Sequence, residues 1–466
     1  MSTENTGTNK DLFEVMPIPK AARILMLPTV LSSLVMILYS LADTFFVGLL
    51  NNEIENAGVS LAAPALLAFN AINNLFGIGA SSMMSRSLGV KDYDTVKKSA
   101  SLGFYGSLAS GVLLSLLCLI FFDPILSLLG AKENTFEATK EYMMWTVVCG
   151  ATPSILNVVF AYLVRAEGYS LHASIGTMSG CLLNIVLDPV FILPWGLNMG
   201  AEGAGLATFI SNSVACMYFF VLLAVKKNST NIKLHPKYLS FKKNIIWGVC
   251  GVGIPASIQN LLNVTGMTVL NNFVAVYEAS AVAAIGIAQK IYNVPIQIAL
   301  GGTQGIMPLV GYSYASHNNE RFRSSIKFVA KIMLPFMIIV SLLAIIFAEP
   351  LISVFMKNEE VIKYGAAFLR GFCVAAPFMV VDFLAVGVFQ SIGLGKKSLI
   401  FALLRKVVLE IPAIIILNAI IRVFSVTYSA LVSEVVLAVY GSILLKRIMK
   451  KQTDDSGTPP APTTDE

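Results

Sequence analysis

CLLNIVLDPVFILP, residues 181–194, is the stretch from which the rest of the chain is best read. Its polar side chains are Asn184 and Asp188, set in an otherwise apolar run. An ionised carboxylate at the centre of a bilayer costs about 2.5–3.5 kcal/mol even on the insertion scale that penalises it least, so Asp188 is expected to face protein, water or an ion. Asn184 and Asp188 are four residues apart and share one face of a helix. Pro189 has no N–H to give the carbonyl of Ile185 and is expected to bend the helix there. The same spacing recurs in the first hydrophobic run, where Tyr39 precedes Asp43. These two helices are read as sharing one cation and proton site.

Composition sets the solvent. The chain has 466 residues, 56% of them hydrophobic and 13% charged, with a mean hydropathy of +0.74. Soluble domains carry nearer 25% charged residues. The apolar residues come in runs of about 20, the length that crosses a hydrocarbon core, and they do not alternate as barrel strands do. The class is an all-α polytopic membrane protein. The polar first sixteen residues lack the apolar core and cleavage site of a secretory signal, so the first span is expected to be retained. The six cysteines (Cys118, Cys149, Cys181, Cys216, Cys250, Cys373) all fall in hydrophobic runs without metal-ligand spacing and are read as buried apolar residues.

Twelve transmembrane helices are expected, at 22–49, 57–84, 99–122, 141–164, 171–194, 203–225, 245–276, 279–312, 328–348, 364–389, 399–420 and 425–445. With the N-terminus on the cytoplasmic side, Lys and Arg concentrate in the tails and the loops of that side. The opposite loops carry Lys132, Lys140, Lys357, Lys363 and Arg422. This asymmetry places both ends inside and explains the net charge of +6 without a nucleic-acid partner. Six lysines between Lys226 and Lys243 mark a linker.

The two halves are copies. Pro28 recurs as Pro255, Asp123-Pro124 as Glu349-Pro350, Pro153 as Pro377, Gly168 as Gly393, Pro189 as Pro412 and Tyr218 as Tyr440, the offset drifting from 227 to 222. Six spans per copy leave both in the same orientation, an internal parallel repeat of the kind that lets two bundles rock about a central site. The expected organisation is a cytoplasmic N-terminus (1–21), a first six-helix lobe (22–225), a linker (226–244), a second six-helix lobe (245–445) and a disordered cytoplasmic tail (446–466).

In the first lobe the candidates are Asp43 and Asp188, with Tyr39, Asn157, Asn184 and Thr208 as neutral oxygen donors. A carboxylate in low dielectric that exchanges a proton for a cation is the simplest use of such a set; the bland alternative is a hydrogen bond pinning two helices. In the second lobe, Asp382 falls where the offset would carry Asn157, and Glu434 where it would carry Asn212. Lys290 and Glu410 complete the ionisable set, with an internal ion pair or a reach to the membrane surface as the alternative. Met and aromatic residues, 18 Met, 28 Phe and 15 Tyr, suit a cavity for flat apolar cations. His172, His235 and His317 are expected to be ordinary surface residues. No phosphate loop, metal-spaced His cluster or Ser, His and Asp set is present, so no cofactor and no ATP-driven step is expected.

These motifs resemble those of the multidrug and toxic compound extrusion (MATE) family. The residues that carry the likeness are Pro28, then "YSLADTFFVG" with Tyr39 and Asp43, Pro64 in "VSLAAPALLAFNAI", "SRSLGVKD", "RAEG" at 165–168, and "NIVLDPVFI" leading to "GAGLATFIS". The similarity runs over residues 12–448 and is nearest to the bacterial MepA-like multidrug branch. The resemblance implies two six-helix lobes forming a V, and export driven by a Na+ or H+ gradient. By position, Tyr39, Asp43, Asn184, Asp188 and Thr208 fall on the family's first-lobe cation and proton site, with Asn157 beside it. A Na+ ion there would use Asp43, Asn184, Asp188 and Thr208. The NorM-like branch has an acid in the seventh span, where this chain has Gln259, and Asp382 is out of register with that branch's tenth-span carboxylate. Gln259, Lys290, Asp382 and Glu434 are therefore candidates for the substrate cavity.

The leading expectation is an antiporter of the bacterial inner (cytoplasmic) membrane that exports organic, amphipathic cations, is not an enzyme, and acts as a monomer in the lipid bilayer. A lipid-linked saccharide flippase is the alternative, and a positive cavity would favour it. An intramembrane enzyme would need a clustered carboxylate metal motif, which the sequence lacks.

Overall fold

A computed structural model describes residues 11–50 and 52–454. The described chain is helical apart from its connections, and its long helices are labelled here in chain order. The first lobe holds α1 (Ile18–Gly48), α2 (Glu53–Gly89), α3 (Tyr93–Ile120), α4 (Phe136–Cys149 and Ala151–Ala166, bent by 49°), α5 (Ser170–Ile192) and α6 (Gly200–Val225). The second holds α7 (Lys243–Ala275), α8 (Ala279–Ala315), α9 (Asn319–Ile346), α10 (Glu359–Ser391), α11 (395–421) and α12 (Ser425–Asp454). Among the described residues nine stretches are long and apolar enough to cross a membrane, ten when the bent α4 counts as one. Twelve is reached in two steps. The 58-residue stretch Gly395–Gln452 is two helices turned at Arg422, whose φ is 51°. And α8, which carries a row of amides described below, falls outside those nine.

The repeat is visible in backbone detail. Lys91 (φ 61°) and His317 (φ 55°) occupy equivalent left-handed turns, as do Asn198 (φ 53°) and Arg422 (φ 51°), and Gly168 (φ 90°) and Gly393 (φ 85°). Each of the first pair leads into a helix of 28 residues, α3 and α9, capped by Asp92 and Asn318. Their side chains accept from Thr95 N–H and Arg321 N–H, both at 3.0 Å. Side-chain acceptors at this position satisfy donors the helix itself leaves free.

The lobes are pressed together on the face that carries both ends of the described chain, hereafter the terminal face. Ala21, Ala22, Leu25 and Met26, at the base of α1, sit in the core of the second lobe. In return Ile245 and Val249, at the base of α7, sit in the core of the first. Small residues allow the close approach: a Cβ on Gly305 would lie 2.8 Å from Met26 Cα, and one on Gly301 2.7 Å from Ser33 Oγ. Gly301 and Gly305 form the small-xxx-small spacing that lets membrane helices pack backbone to backbone. Gly305→Val is accordingly expected to cost about 1–3 kcal/mol by overpacking and to lower the melting temperature of the purified protein. Gly286→Ala, where an added Cβ meets nothing within 4 Å, is expected to be neutral in the same thermal assay.

The segment before α1 closes this face further. Leu12 and Phe13 are each 4% exposed; Phe13 stacks on Tyr312 at 5.0 Å, and Arg321 donates to the Leu12 carbonyl at 2.8 Å. The expected polar terminus therefore carries a buried apolar pair that bridges the lobes. The linker lies along α3, with Ser101 and Tyr105 donating to the carbonyls of Lys233 (2.7 Å) and Leu234 (2.6 Å). The tail corrects the expectation of disorder from 446 on. α12 runs to Asp454, held because Gln452 donates to the Tyr314 carbonyl at 2.9 Å and Arg323 to that of Met449. Residues 1–10 and 455–466 lie outside the described residues. Away from the terminal face, Met36, Leu38, Phe45 and Met267 are exposed.

Candidate functional site

In the first lobe α1 and α5 run side by side, joined by the hydroxyls of Ser32 and Thr177 at 3.1 Å. One turn apart on α5, Asn184 is 2% exposed and Asp188 fully buried. With its amide turned to satisfy its neighbours, Asn184 donates to Asp188 Oδ2 (2.8 Å) and Oδ1 (3.2 Å) and accepts from the Thr208 N–H (3.2 Å). The helix continues through Pro189 to Ile192. On α6, Asn212 donates to the Thr208 carbonyl at 2.9 Å and accepts from Asn157 Nδ2 at 3.3 Å. A polar chain thus links α4, α6 and α5 to Asp188. Asp43 and Tyr39, one turn apart on α1, lie within electrostatic reach of Asp188. So does Tyr142 on α4, 5% exposed, which the sequence reading missed because a lone tyrosine at a span edge carries no signal.

No ion pair among the described residues includes Asp43 or Asp188. Asp188 is buried and Asp43 half-buried; two such carboxylates within electrostatic reach of each other and without a basic partner need a proton or a cation for company. Among the described residues no three His, Cys, Asp or Glu side chains converge as a metal site.

The second lobe is built differently. A widened helical turn, Leu404–Glu410, within α11 brings two basic residues inward. Arg405 bonds Asp382 Oδ2 of α10 at 3.3 Å and Glu434 Oε1 of α12 at 2.6 Å; all three residues are nearly or wholly buried. Lys406 reaches both oxygens of Glu410 at 2.7 Å. The internal ion pair, weighed as the alternative for Glu410 and Glu434, is what these residues form, and Asp382 joins it. Gln259 accepts from Gln390 (3.2 Å) and Ser398 (3.3 Å), a small neutral network where an acid would leave a charge.

A cavity of about 420 Å³ lies against this lobe, within the size range of drug-binding sites. Gln259, Arg405, Lys406, Glu410 and Glu434 line it, with Asn74 of α2 from across the lobe boundary. Asp382 does not line it; its carboxyl is turned to Arg405. Lys290 is a correction: it is exposed and borders a separate apolar crevice between α8, α9 and α10, because its ring-free stem lets it leave the core. The row the sequence reading overlooked is Gln289, Asn293, Gln297 and Gln304 on α8, facing Asn260 and Asn263 of α7. Their near-fourfold spacing marks one helix face, but neutral amides draw no attention in a search for charges. Tyr292, Phe372, Phe383, Met307 and Met379 supply ring faces and sulfur. Neither Asp43 nor Asp188 lines this cavity.

Comparison with known proteins accords with this arrangement. The MatE family model matches residues 28–190 and again 255–416, so the two halves match separately at the offset read from the prolines. The multidrug export protein MepA of Staphylococcus aureus (strain NCTC 8325 / PS 47) is 30% identical over 447 residues, 95% of this chain and 97% of that protein. MepA of Staphylococcus haemolyticus (strain JCSC1435) is 29% identical over 448 residues, 96% and 97% of the two chains. A crystal structure of a MATE protein in complex with MaL6 superposes with a TM-score of 0.89 at 25% identity, covering 97% of this chain and all of the other. With twelve helices in two repeated lobes, and the motifs of both lobes matched, this chain belongs to the MATE family and is MepA-like.

Proposed function

We propose that the protein is a secondary active multidrug exporter that carries organic, amphipathic cations out of the cell in exchange for H+ or Na+ by alternating access. The observation that carries this reading is the separation of two sites. A carboxylate pair without a basic partner lies between α1 and α5, and an amide- and aromatic-lined cavity lies in the other lobe. α1 connects them, since it packs on α5 at Ser32 and on α8 at Gly301 and Gly305. Occupation of the acidic pair then acts on the cavity by shifting α1 between two packings, which requires the ion to bind the two states unequally.

Further parts of the reading follow from the charge pattern. The lysine-rich terminal face lies in the cytoplasm of a bacterial cell, both termini inside, with lobes at 22–225 and 245–445 and the linker between. The conformation described here, closed at that face, is then outward-facing. The protein works as a monomer, without a cofactor, and is not an enzyme. The flippase alternative draws no support from the cavity, where Arg405 and Lys406 are matched by Glu410 and Glu434. In proteoliposomes, ethidium efflux is expected to be driven by an imposed pH gradient or an imposed Na+ gradient, and which of the two drives it names the coupling ion; a protein that moves ethidium under neither gradient would sink the proposal.

A further inference from the structure

Beneath the central cavity, toward the terminal face, a second cavity of about 40 Å³ is walled by Ser81, Ser82 and Arg165 of one lobe and by Gln304, Gln390 and Ser391 of the other. Arg165, in the last turn of α4, is only 8% exposed. Its Nε has no hydrogen-bond partner, and none of the ion pairs among the described residues includes it. Its guanidinium lies 5.7 Å from the centre of the Tyr162 ring. The acid nearest in sequence, Glu167, is turned away and accepts from Thr230 (2.5 Å) and Asn231 N–H (2.6 Å). Arg86, also at this junction, spends its Nε on the Ser82 carbonyl at 3.3 Å and likewise has no acid.

A guanidinium stays charged in any protein environment, and an isolated buried charge is expensive. Arg405, equally buried, meets this with two carboxylates. Arg165 has none, and it faces a space, walled also by Ile78, Tyr162, Met307 and Pro308, that is large enough for an ion and too small for an organic substrate. We infer that this cavity binds one small monovalent anion of chloride's size, held by Arg165 between the two lobes. Because both lobes supply its walls, the site is whole only while the terminal face is closed. Anion binding therefore stabilises this conformation by mass action, and the anion must leave before the lobes part on that side. The inference concerns the closed face and does not depend on which substrate is carried.

The test uses the purified full-length protein with chloride, nitrate or gluconate at constant ionic strength and fixed Na+. Melting temperature is followed, together with the distance between spin labels at Asp94 and Glu320 on the two lobes. Chloride and nitrate are expected to raise the melting temperature by about 3 °C or more over gluconate at concentrations well above Kd and to narrow the label distance. Arg165→Gln is expected to abolish both responses, and Arg165→Lys, which keeps the charge, to retain them at weaker apparent affinity. Identical melting and distances in all three anions for the unaltered protein would overturn the inference, and mean that water alone solvates the arginine. So would an undiminished anion response in Arg165→Gln. Should Arg165→Gln not fold, the anion series on the unaltered protein and on Arg165→Lys still decides.

Discussion

Asp188→Asn is expected to reduce gradient-driven ethidium efflux to the level of vesicles without protein, while leaving expression and folding intact. The side chains are the same size, and Asn184 can still donate to the oxygen that remains at this fully buried position. What is lost is the charge. Coupling works only through the unequal affinity of an ion for two conformations, and a neutral amide has no proton or cation to exchange. Because Asp188 does not line the cavity proposed to hold drug, the affinity for drug measured by equilibrium binding is expected to stay within about threefold, since the variant leaves the bonding partners in that cavity unchanged. Asp43→Asn is expected to act in the same direction. Efflux by both variants with unaltered dependence on the gradient would show that the acids between α1 and α5 are structural.

Arg405→Leu is expected to have the largest effect on stability. It leaves Asp382 and Glu434 buried without their shared cation, beside oxygens, Asp382 Oδ1 and Glu434 Oε2, that already lack a hydrogen bond. Removing one partner of a buried ion pair costs about 3–5 kcal/mol, enough to deplete the folded protein in membranes. Replacing the whole cluster with neutral groups, Asp382→Asn, Arg405→Met and Glu434→Gln together, is expected to recover most of the loss, because no charge is then stranded. Thermal unfolding in detergent reads both, and the strong non-additivity is the signature of a coupled network. An Arg405→Leu protein that melts with the unaltered one would refute the view that this cluster holds α10, α11 and α12 together.

The sequence was most informative where physics leaves few choices. Apolar runs of bilayer length read as spans, and paired prolines and acids read as a repeat that the structure repeats down to its left-handed turns. α8 was readable as a span only from its length, since its amide face dilutes its hydropathy. The first-lobe residues were proposed from charge in a hydrophobic run, and Asn157, Asn184, Thr208 and Asp188 do form a connected polar chain with Asn212. The second lobe was harder. An acid in an apolar run looks the same whether it faces a cavity or an arginine, and Arg405 lay within a span where nothing in its neighbours' spacing announces a widened turn. Lys290 had the right chemistry on the wrong side of its helix.

Sequence alone determined the membrane, the number of spans, their duplication and the acids on α1 and α5, because the cost of exposing backbone or charge to lipid is so large that composition and spacing already obey it. Tertiary structure alone decided which face is closed, which helix ends pack into the opposite lobe, and which charges are paired. It also decided that the acidic pair and the drug-sized cavity lie in different lobes. Those outcomes depend on side chains far apart in the chain meeting within a few ångströms, and no local pattern records whom a buried group will meet.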